Sequence, residues 1–320
     1  MKYIFIFFLC LTTNLDSFSQ NKNLPQYLNY MGDNPFIITP AYAGIGSGLR
    51  IRVNGMSQWL GVKNAPNTQS VSIENRIEER FGAGLIIFND KNGNTSQQGA
   101  KLTFTSHLTL SRLYDSFFSF GFTYSYNMFR INTGNFSGSD SSVVNDRSIN
   151  SSNFDLSFLY RFNHFGISLN ISNLLDKDNA KNMFANGEPL VERRYSVFNY
   201  YIFNKFSDDY ELEPSILVEY LEADKRSRTD FNLKLRKKTN NGYIWLGLSY
   251  NFLNDQFLTP NSIAPIFGIK RGNLYASYGF GVNTNKTQAF NTGSHMITLG
   301  FDFIRSPSLA RCTQKYYIFQ

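Results

Sequence analysis

Large apolar residues fall at every second position through much of this chain. In Phe118-Ser119-Phe120-Gly121-Phe122-Thr123-Tyr124-Ser125-Tyr126-Asn127-Met128, aromatic or apolar side chains alternate with Ser, Gly, Thr and Asn. A period of two predicts a strand whose two faces meet different surroundings. The pattern returns with Phe154, Leu156, Phe158, Tyr160 and Phe162 set against Asp155, Ser157 and Arg161. It returns again with Ile167, Leu169 and Ile171, with Leu246, Leu248, Tyr250 and Phe252, with Tyr278, Phe280 and Val282, and with Ile297, Leu299, Phe301 and Phe303. Period and turn signals together predict about fourteen strands. They fall near residues 47–59, 67–77, 81–90, 97–111, 116–131, 151–162, 164–174, 193–206, 209–221, 228–239, 242–253, 262–271, 273–283 and 294–304.

A soluble sandwich also alternates, but its outward residues are charged more often and its strands are shorter. Strands of about ten residues, tilted by about 40°, match an apolar membrane band about 25 Å tall, and closure removes the edges such strands would expose. The predicted fold is therefore an all-β, transmembrane antiparallel β-barrel of about 14 strands. Tight turns at Asn163-His164, Ser207-Asp208-Asp209, Thr239 to Gly242 and Lys270 to Asn273 suit a periplasmic end. Longer connections near residues 132–150, 175–192, 253–261 and 284–293 are expected at the outer end.

Composition strengthens this reading. Aromatics make up 16% of the 320 residues, with 31 Phe and 19 Tyr, yet mean hydropathy is only −0.29. A wall with lipid on one side and water on the other needs both properties at once. At the N-terminus, Lys2, the apolar run Tyr3 to Leu11 and the polar stretch ending Ser17-Phe18-Ser19 read as a signal peptide cleaved after Ser19. Cleavage removes Cys10 and leaves Cys312 as the single cysteine; Phe8-Leu9 before Cys10 lacks the small residues of a lipoprotein signal. No later apolar run is long enough for a transmembrane helix, which needs about 18 residues. The expected organisation is a signal peptide at 1–19, an N-terminal segment at 20–46 that could plug the lumen, a barrel at 47–304 and a tail at 305–320. The segment suits a plug because Leu28, Tyr30, Met31, Phe36, Ile37 and Ile38 are apolar without alternation.

The net charge is +7, but Lys and Arg are scattered apart from Arg236-Lys237-Lys238, and no recognition module surrounds them. No nucleic-acid partner is expected. Candidate chemistry is sparse. His107, His164 and His295 lie far apart without a ligand at i+3 or i+4, so no metal site is expected. Neither a serine elbow nor a phosphate loop occurs, and no catalytic or cofactor-binding residue is assigned. Gly44-Ile45-Gly46-Ser47-Gly48 precedes a strand and reads as a flexible entry to the barrel. The stretch Glu219 to Arg226, rich in charge and close to a turn, reads as a solvated loop.

One block carries further information. Asn34-Pro35-Phe36-Ile37-Ile38-Thr39-Pro40-Ala41-Tyr42-Ala43-Gly44 is followed by Gln58-Trp59-Leu60-Gly61-Val62 and then by Ala65-Pro66-Asn67-Thr68-Gln69-Ser70-Val71-Ser72-Ile73. Next comes Gly82-Ala83-Gly84-Leu85-Ile86-Ile87-Phe88-Asn89-Asp90-Lys91-Asn92-Gly93. In order and spacing these resemble the PorP/SprF family, outer-membrane proteins of the type IX secretion system in Bacteroidota. Ile171 to Leu175, Glu213-Pro214-Ser215 and Gly293 to Ile297 resemble its shorter motifs, and the resemblance covers nearly the whole mature chain. The chain departs from the family at Cys312 to Phe319, where a shorter ending is usual.

The resemblance implies an outer-membrane location and a role without catalysis, in secretion or surface attachment of large cell-surface proteins, gliding adhesins among them. The implied partners are outer-membrane lipid, a secreted cell-surface protein with a C-terminal sorting domain, and periplasmic secretion-system subunits. The motif residues Asn34, Pro35, Pro40, Ala41, Tyr42, Gly44, Gln58, Trp59, Gly61, Pro66, Thr68, Gln69, Asn89, Asp90 and Lys91 are candidates for partner binding. They also have a structural reading, since Pro40, Gly44, Gly61 and Pro66 set turns, and Trp59 suits the membrane interface. A transport barrel for small hydrophobic or polar solutes and a purely structural anchor remain the rival readings.

Overall fold

The computed structural model describes residues 31–46, 48–132, 147–175, 193–207, 209–222, 225–256, 261–284 and 292–303. The expected signal peptide and tail, with Cys10 and Cys312, lie outside them. The strands are β1 (Leu49–Ser57), β2 (Asn67–Arg76), β3 (Phe81–Asn92), β4 (Thr95–Ser111), β5 (Ser116–Ile131), β6 (Arg147–Phe162), β7 (Phe165–Ser172), β8 (Arg194–Tyr201), β9 (Phe203–Ser207), β10 (Tyr210–Leu221), β11 (Arg226–Thr239), β12 (Gly242–Leu253), β13 (Ser262–Arg271), β14 (Leu274–Asn283) and β15 (Ser294–Phe303). Each pairs antiparallel with its neighbour, and β1 closes the ring on β15 from Leu49↔Phe303 to Ser57↔His295. Both β8 and β9 pair with β10 and together form one barrel strand, so the barrel has fourteen. The β8–β10 ladder ends at Ser215↔Tyr200, next to Pro214, which has no N–H to offer the ladder.

The predicted alternation sorts the wall. Phe118, Phe120, Phe122, Tyr124 and Tyr126 of β5 face outward, while Ser119, Gly121, Thr123, Ser125 and Asn127 are buried on the lumen side. Leu102, Phe104, Leu246, Leu248, Ile297 and Leu299 extend the apolar outer face. Among the described residues no helix is long and apolar enough to cross a membrane; this chain crosses with strands. Connections 77–80, 112–115, 163–164, 240–241 and 272–273 share one end with Leu49 and Phe303. Short connections suit a periplasmic end by the usual barrel rule; the longer ones lie at the other end, together with the two-residue turn Gly93-Asn94.

Inside the barrel the polar side chains pair with one another, because charge removed from water is costly unless compensated. Arg52 meets Asp302 at 2.5 Å, Lys270 meets the same carboxylate at 2.9 Å, and Arg50 meets Glu74 at 3.0 Å. Lys101 meets Asp155 at 2.7 Å. The charge-rich stretch from Glu219 to Arg226 divides. Glu219 is buried and meets Arg228 at 2.6 Å and Arg194 at 3.7 Å, while Glu222 lies exposed near Arg193. Strand parity decides the difference, since residue 219 falls on the inward face of β10.

Candidate functional site

Residues 31–46 run inside the barrel. Two short 3-10 turns, Pro35–Ile37 and Pro40–Tyr42, shape them, each opening on a proline whose fixed φ suits a first helical position. Phe36, Ala41 and Ala43 are completely buried. They form one apolar cluster with wall residues such as Ile86, Leu159, Phe198, Leu217 and Trp245. Ile37 packs on a second group, Met56, Ala264 and Met296.

Hydrogen bonds tie this segment to strands on several sides. Asn34 donates to Ser72 Oγ at 3.0 Å, and the Thr39 and Ser168 hydroxyls meet at 3.0 Å. The Gly44 N–H donates to Glu74 Oε2 at 3.0 Å, and Arg76 Nε donates to the Gly44 carbonyl at 2.7 Å. Thr105 and His107 both reach the Ala43 carbonyl, at 2.7 and 3.0 Å. Since a carbonyl only accepts, His107 carries its proton on Nε2 and takes the Ser119 hydroxyl on Nδ1 at 2.8 Å. At the segment's other end Lys234 donates to the Met31 carbonyl at 3.1 Å. Asp33 forms an ion pair with Lys234, accepts from Tyr243 at 2.5 Å and lies 3.6 Å from Arg236. Burial opposes the charge on Asp33, yet Lys234 and Arg236 override it and hold the carboxyl below its ordinary pKa.

Backbone shape completes the fit. Gly44 has φ +71°, and a Cβ there would lie 2.7 Å from the Gly82 Cα and 2.8 Å from the Asn75 carbonyl. At Gly84 a Cβ would fall 2.3 Å from Phe36 Cζ. The motif glycines of β3 are thus the notch into which the motif residues of the inner segment fit.

The sequence-derived candidates separate into two groups. Asn34, Pro35, Pro40, Ala41, Tyr42 and Gly44 lie in the lumen, all buried. Gln58, Trp59, Gly61, Pro66, Thr68, Gln69, Asn89, Asp90 and Lys91 gather at the end opposite the short turns. There the β1–β2 loop is ordered by Gln58 N–H donating to the Pro66 carbonyl at 2.9 Å, Leu60 N–H to Gly293 at 3.2 Å and Gly93 N–H to Asn64 at 3.0 Å. Trp59, with φ +51°, stays 38% exposed beside exposed Leu60 and Val62. Thr68 points inward and donates to Asp90 at 2.6 Å, while Gln69 and Asn89 are register partners on the outer face. Asn89 in turn accepts from Gln98 at 3.1 Å. Beneath this row an outer-wall hollow of about 630 Å³ opens over Gly55, bordered by Val53, Val71, Ile87 and Leu299.

The charged partners of the inner segment, Asp33, Lys234, Arg236 and Tyr243, were not among the sequence candidates. Parity was the available signal for three of them, since Lys234 and Arg236 share the inward face of β11 with Asn232, and Tyr243 is inward on β12. Among the described residues no cluster of three metal-ligating side chains occurs.

No curated protein matches the chain significantly. Among solved structures it is similar to the toluene transporter TbuX of Ralstonia pickettii, with a TM-score of 0.51 and 10% identity over 84% of this chain and 93% of that one. It is also similar to the CymD monoaromatic hydrocarbon channel, with a TM-score of 0.50 and 14% identity over 87% and 93%. At such identities the likeness is one of fold. A family model described as the type IX secretion system membrane protein PorP/SprF matches residues 19–301. The chain therefore belongs to the PorP/SprF family, as an outer-membrane β-barrel component of type IX secretion.

Proposed function

We propose that this barrel is a non-catalytic frame that supports secretion or surface attachment of large cell-surface proteins by binding their C-terminal sorting domains. The observation that carries this reading is the division of the family motif. Its first part fills the lumen, held from Ser72 and Glu74 on β2 round to Lys234 on β11 and Tyr243 on β12. Its second part builds an ordered loop that presents Trp59, Leu60 and Val62. A barrel occupied in this way acts as a lumen-plugged scaffold, and folded cargo does not pass through it. The outer loops take the sorting domain; the short turns at the opposite end face the periplasmic subunits. Gliding adhesins are one class of cargo that fits.

The test is a mild-detergent pull-down of the tagged protein from its native outer membrane, followed by mass spectrometry. A large exported protein with a C-terminal sorting domain is the expected companion, and deletion of the barrel removes that protein from the cell surface. Recovery of the barrel alone, with an unchanged surface proteome, sinks the reading.

Transport of small solutes is the second reading. It draws on the similar structures, a toluene transporter and a monoaromatic hydrocarbon channel. The charged inner wall, with Arg50, Arg52, Lys270 and Asp302, speaks against a hydrocarbon path. Planar-bilayer conductance separates the two: the scaffold reading expects a closed wild-type barrel.

A further inference from the structure

Eight lysine and arginine side chains are buried among the described residues: Arg50, Arg52, Arg76, Lys101, Arg161, Lys234, Arg236 and Lys270. Six face a carboxylate: Arg50 with Glu74, Arg52 and Lys270 with Asp302, Lys101 with Asp155, Lys234 with Asp33 and Arg236 with Glu211. Arg76 is engaged by the carbonyls of Gly44 and Glu79 at 2.7 and 2.8 Å. Arg161 departs from this rule. It is 7% exposed, and its Nε and Nη2 are buried without a hydrogen-bond partner among the described residues.

The surroundings of Arg161 form an aromatic recess. Its guanidinium lies over the Phe117 ring at 5.2 Å. Its other register neighbour is Gly166, whose bare Cα leaves room for the ring of Tyr200. Tyr42 of the inner segment is buried beside Tyr200 and within electrostatic reach of Arg161. Glu213 also lies within reach of Tyr42, but it faces Arg236 at 3.5 Å. His107, already bonded to Ala43 and Ser119, adds no negative charge to the neighbourhood. A buried guanidinium without an acceptor costs several kcal/mol by general experience, whereas its planar fork matches the oxygens of a carboxylate or phosphate group.

We propose that Arg161, with the Tyr42 hydroxyl, forms a binding site for an oxyanion that enters from the short-turn end of the barrel. The ligand chemistry is that of a carboxylate or a phosphate-type group. Arg161 stands next to the last residue of β6, so the recess is close to that mouth. At the far end of the inner segment, Asp33 supplies the anion to Lys234 itself; at Arg161 the segment supplies only a hydroxyl, and the anion comes from outside. A bound oxyanion bridges wall and segment and fastens the segment in place.

The experiment uses the full-length protein in detergent micelles at constant ionic strength. Sodium chloride is replaced stepwise by sodium sulfate in one arm and by sodium acetate in the other, while the thermal unfolding midpoint is read. A ligand that binds only the folded form raises the midpoint in a saturable way. The sulfate arm reports a phosphate-type site and the acetate arm a carboxylate site. Sulfate also stabilises proteins generally by exclusion from their surface, in a non-saturating manner, so the saturable part is the readout. Arg161→Met is expected to abolish the saturable rise, and Tyr42→Phe to raise its half-saturation by about tenfold, the worth of one charge-assisted hydrogen bond. The proposal is overturned if neither arm gives a saturable rise in the wild type, or if Arg161→Met retains it. Should Arg161→Met fail to assemble, Tyr42→Phe decides: an unchanged half-saturation overturns the site.

Discussion

The ring of Phe36 occupies the space that a side chain on Gly84 would take, with Cζ only 2.3 Å from the position of the missing Cβ. One residue belongs to the inner segment and the other to the wall, so the contact is where the segment seats on the glycine-rich strand β3. Replacing Gly84 by Leu forces the ring out of its notch. Overpacking of a filled interior costs about 1–3 kcal/mol. The barrel closure on β15 does not involve β3 directly, so the wall is expected to assemble while the segment is displaced. Limited proteolysis near Pro35 and conductance in planar bilayers are both expected to rise in Gly84→Leu. Unchanged values in both would show that the segment tolerates the loss of the notch.

Asp33 is the charged anchor of the same segment. It serves Lys234, Arg236 and Tyr243 together, and its removal takes away the carboxylate paired with buried Lys234, while Arg236 keeps Glu211 at 2.7 Å. Breaking a buried pair from one side costs about 3–5 kcal/mol, so Asp33→Asn is expected to lower the unfolding midpoint more than Gly84→Leu does. Asp33→Leu combined with Lys234→Met should recover much of the loss, since removing both partners removes the stranded charge. A double variant as weak as Asp33→Asn would place the cost elsewhere.

The same anchor sets a pH dependence. The carboxyl of Asp33 is held below its ordinary value, about 3.9 in an unfolded chain. Its contribution is therefore fully present above that value and is lost as pH falls through the lower native pKa. Mild acid, near pH 5, is expected to leave the segment docked. The midpoint of wild type should fall only below the ordinary carboxylate range, and that part of the fall should be absent in Asp33→Asn.

The barrel was legible in the sequence because a period of two survives any tilt of the strand. Phe118 to Met128 declared an outward aromatic row, and the structure places it there. The break at Ile202 was less visible, since it depends on Pro214 in the neighbouring strand. The candidate site was half legible. Proline and glycine spacing in residues 34–44 marked a shaped segment, but its partners lie on β11 and β12, far away in sequence. Glu219 went unread for another reason: a charged residue near a turn looks solvated until the parity of its strand is counted.

The outer face offers a test of the wall itself. Leu248 and Leu299 are 51% and 55% exposed and project from the middle of β12 and β15. In a membrane that exposure is contact with acyl chains. An arginine at such a position costs about 2–4 kcal/mol near the bilayer midplane and little at the interface. Leu299→Arg is thus expected to impair insertion into lipid vesicles. Lys91→Ala, at the rim, should insert like wild type. Equal insertion of Leu299→Arg and wild type would mean that residue 299 does not face the hydrocarbon.

The rim half of the motif has less structural cause than the luminal half. Pro66 and Gly61 shape their loop, and Thr68 holds Asp90, but Trp59, Gln69 and Lys91 make few contacts that the barrel needs. The Gln69 side chain donates to Asn67 Oδ1 at 3.4 Å on the exposed face. Substitutions at exposed sites away from caps and buried networks usually change stability by less than about 0.5 kcal/mol. Trp59→Ala and Gln69→Ala are therefore expected to keep the wild-type unfolding midpoint. If this surface receives the sorting domain of the cargo, the same variants lose cargo in the pull-down and lower its display on the cell, because exposed aromatics in an ordered loop are typical binding anchors. Thr68→Ala serves as the contrast, since it strands Asp90 inside the wall and should act through stability. A normal midpoint with full cargo display in Trp59→Ala and Gln69→Ala would move the binding surface away from this rim, to the other loops of the same end.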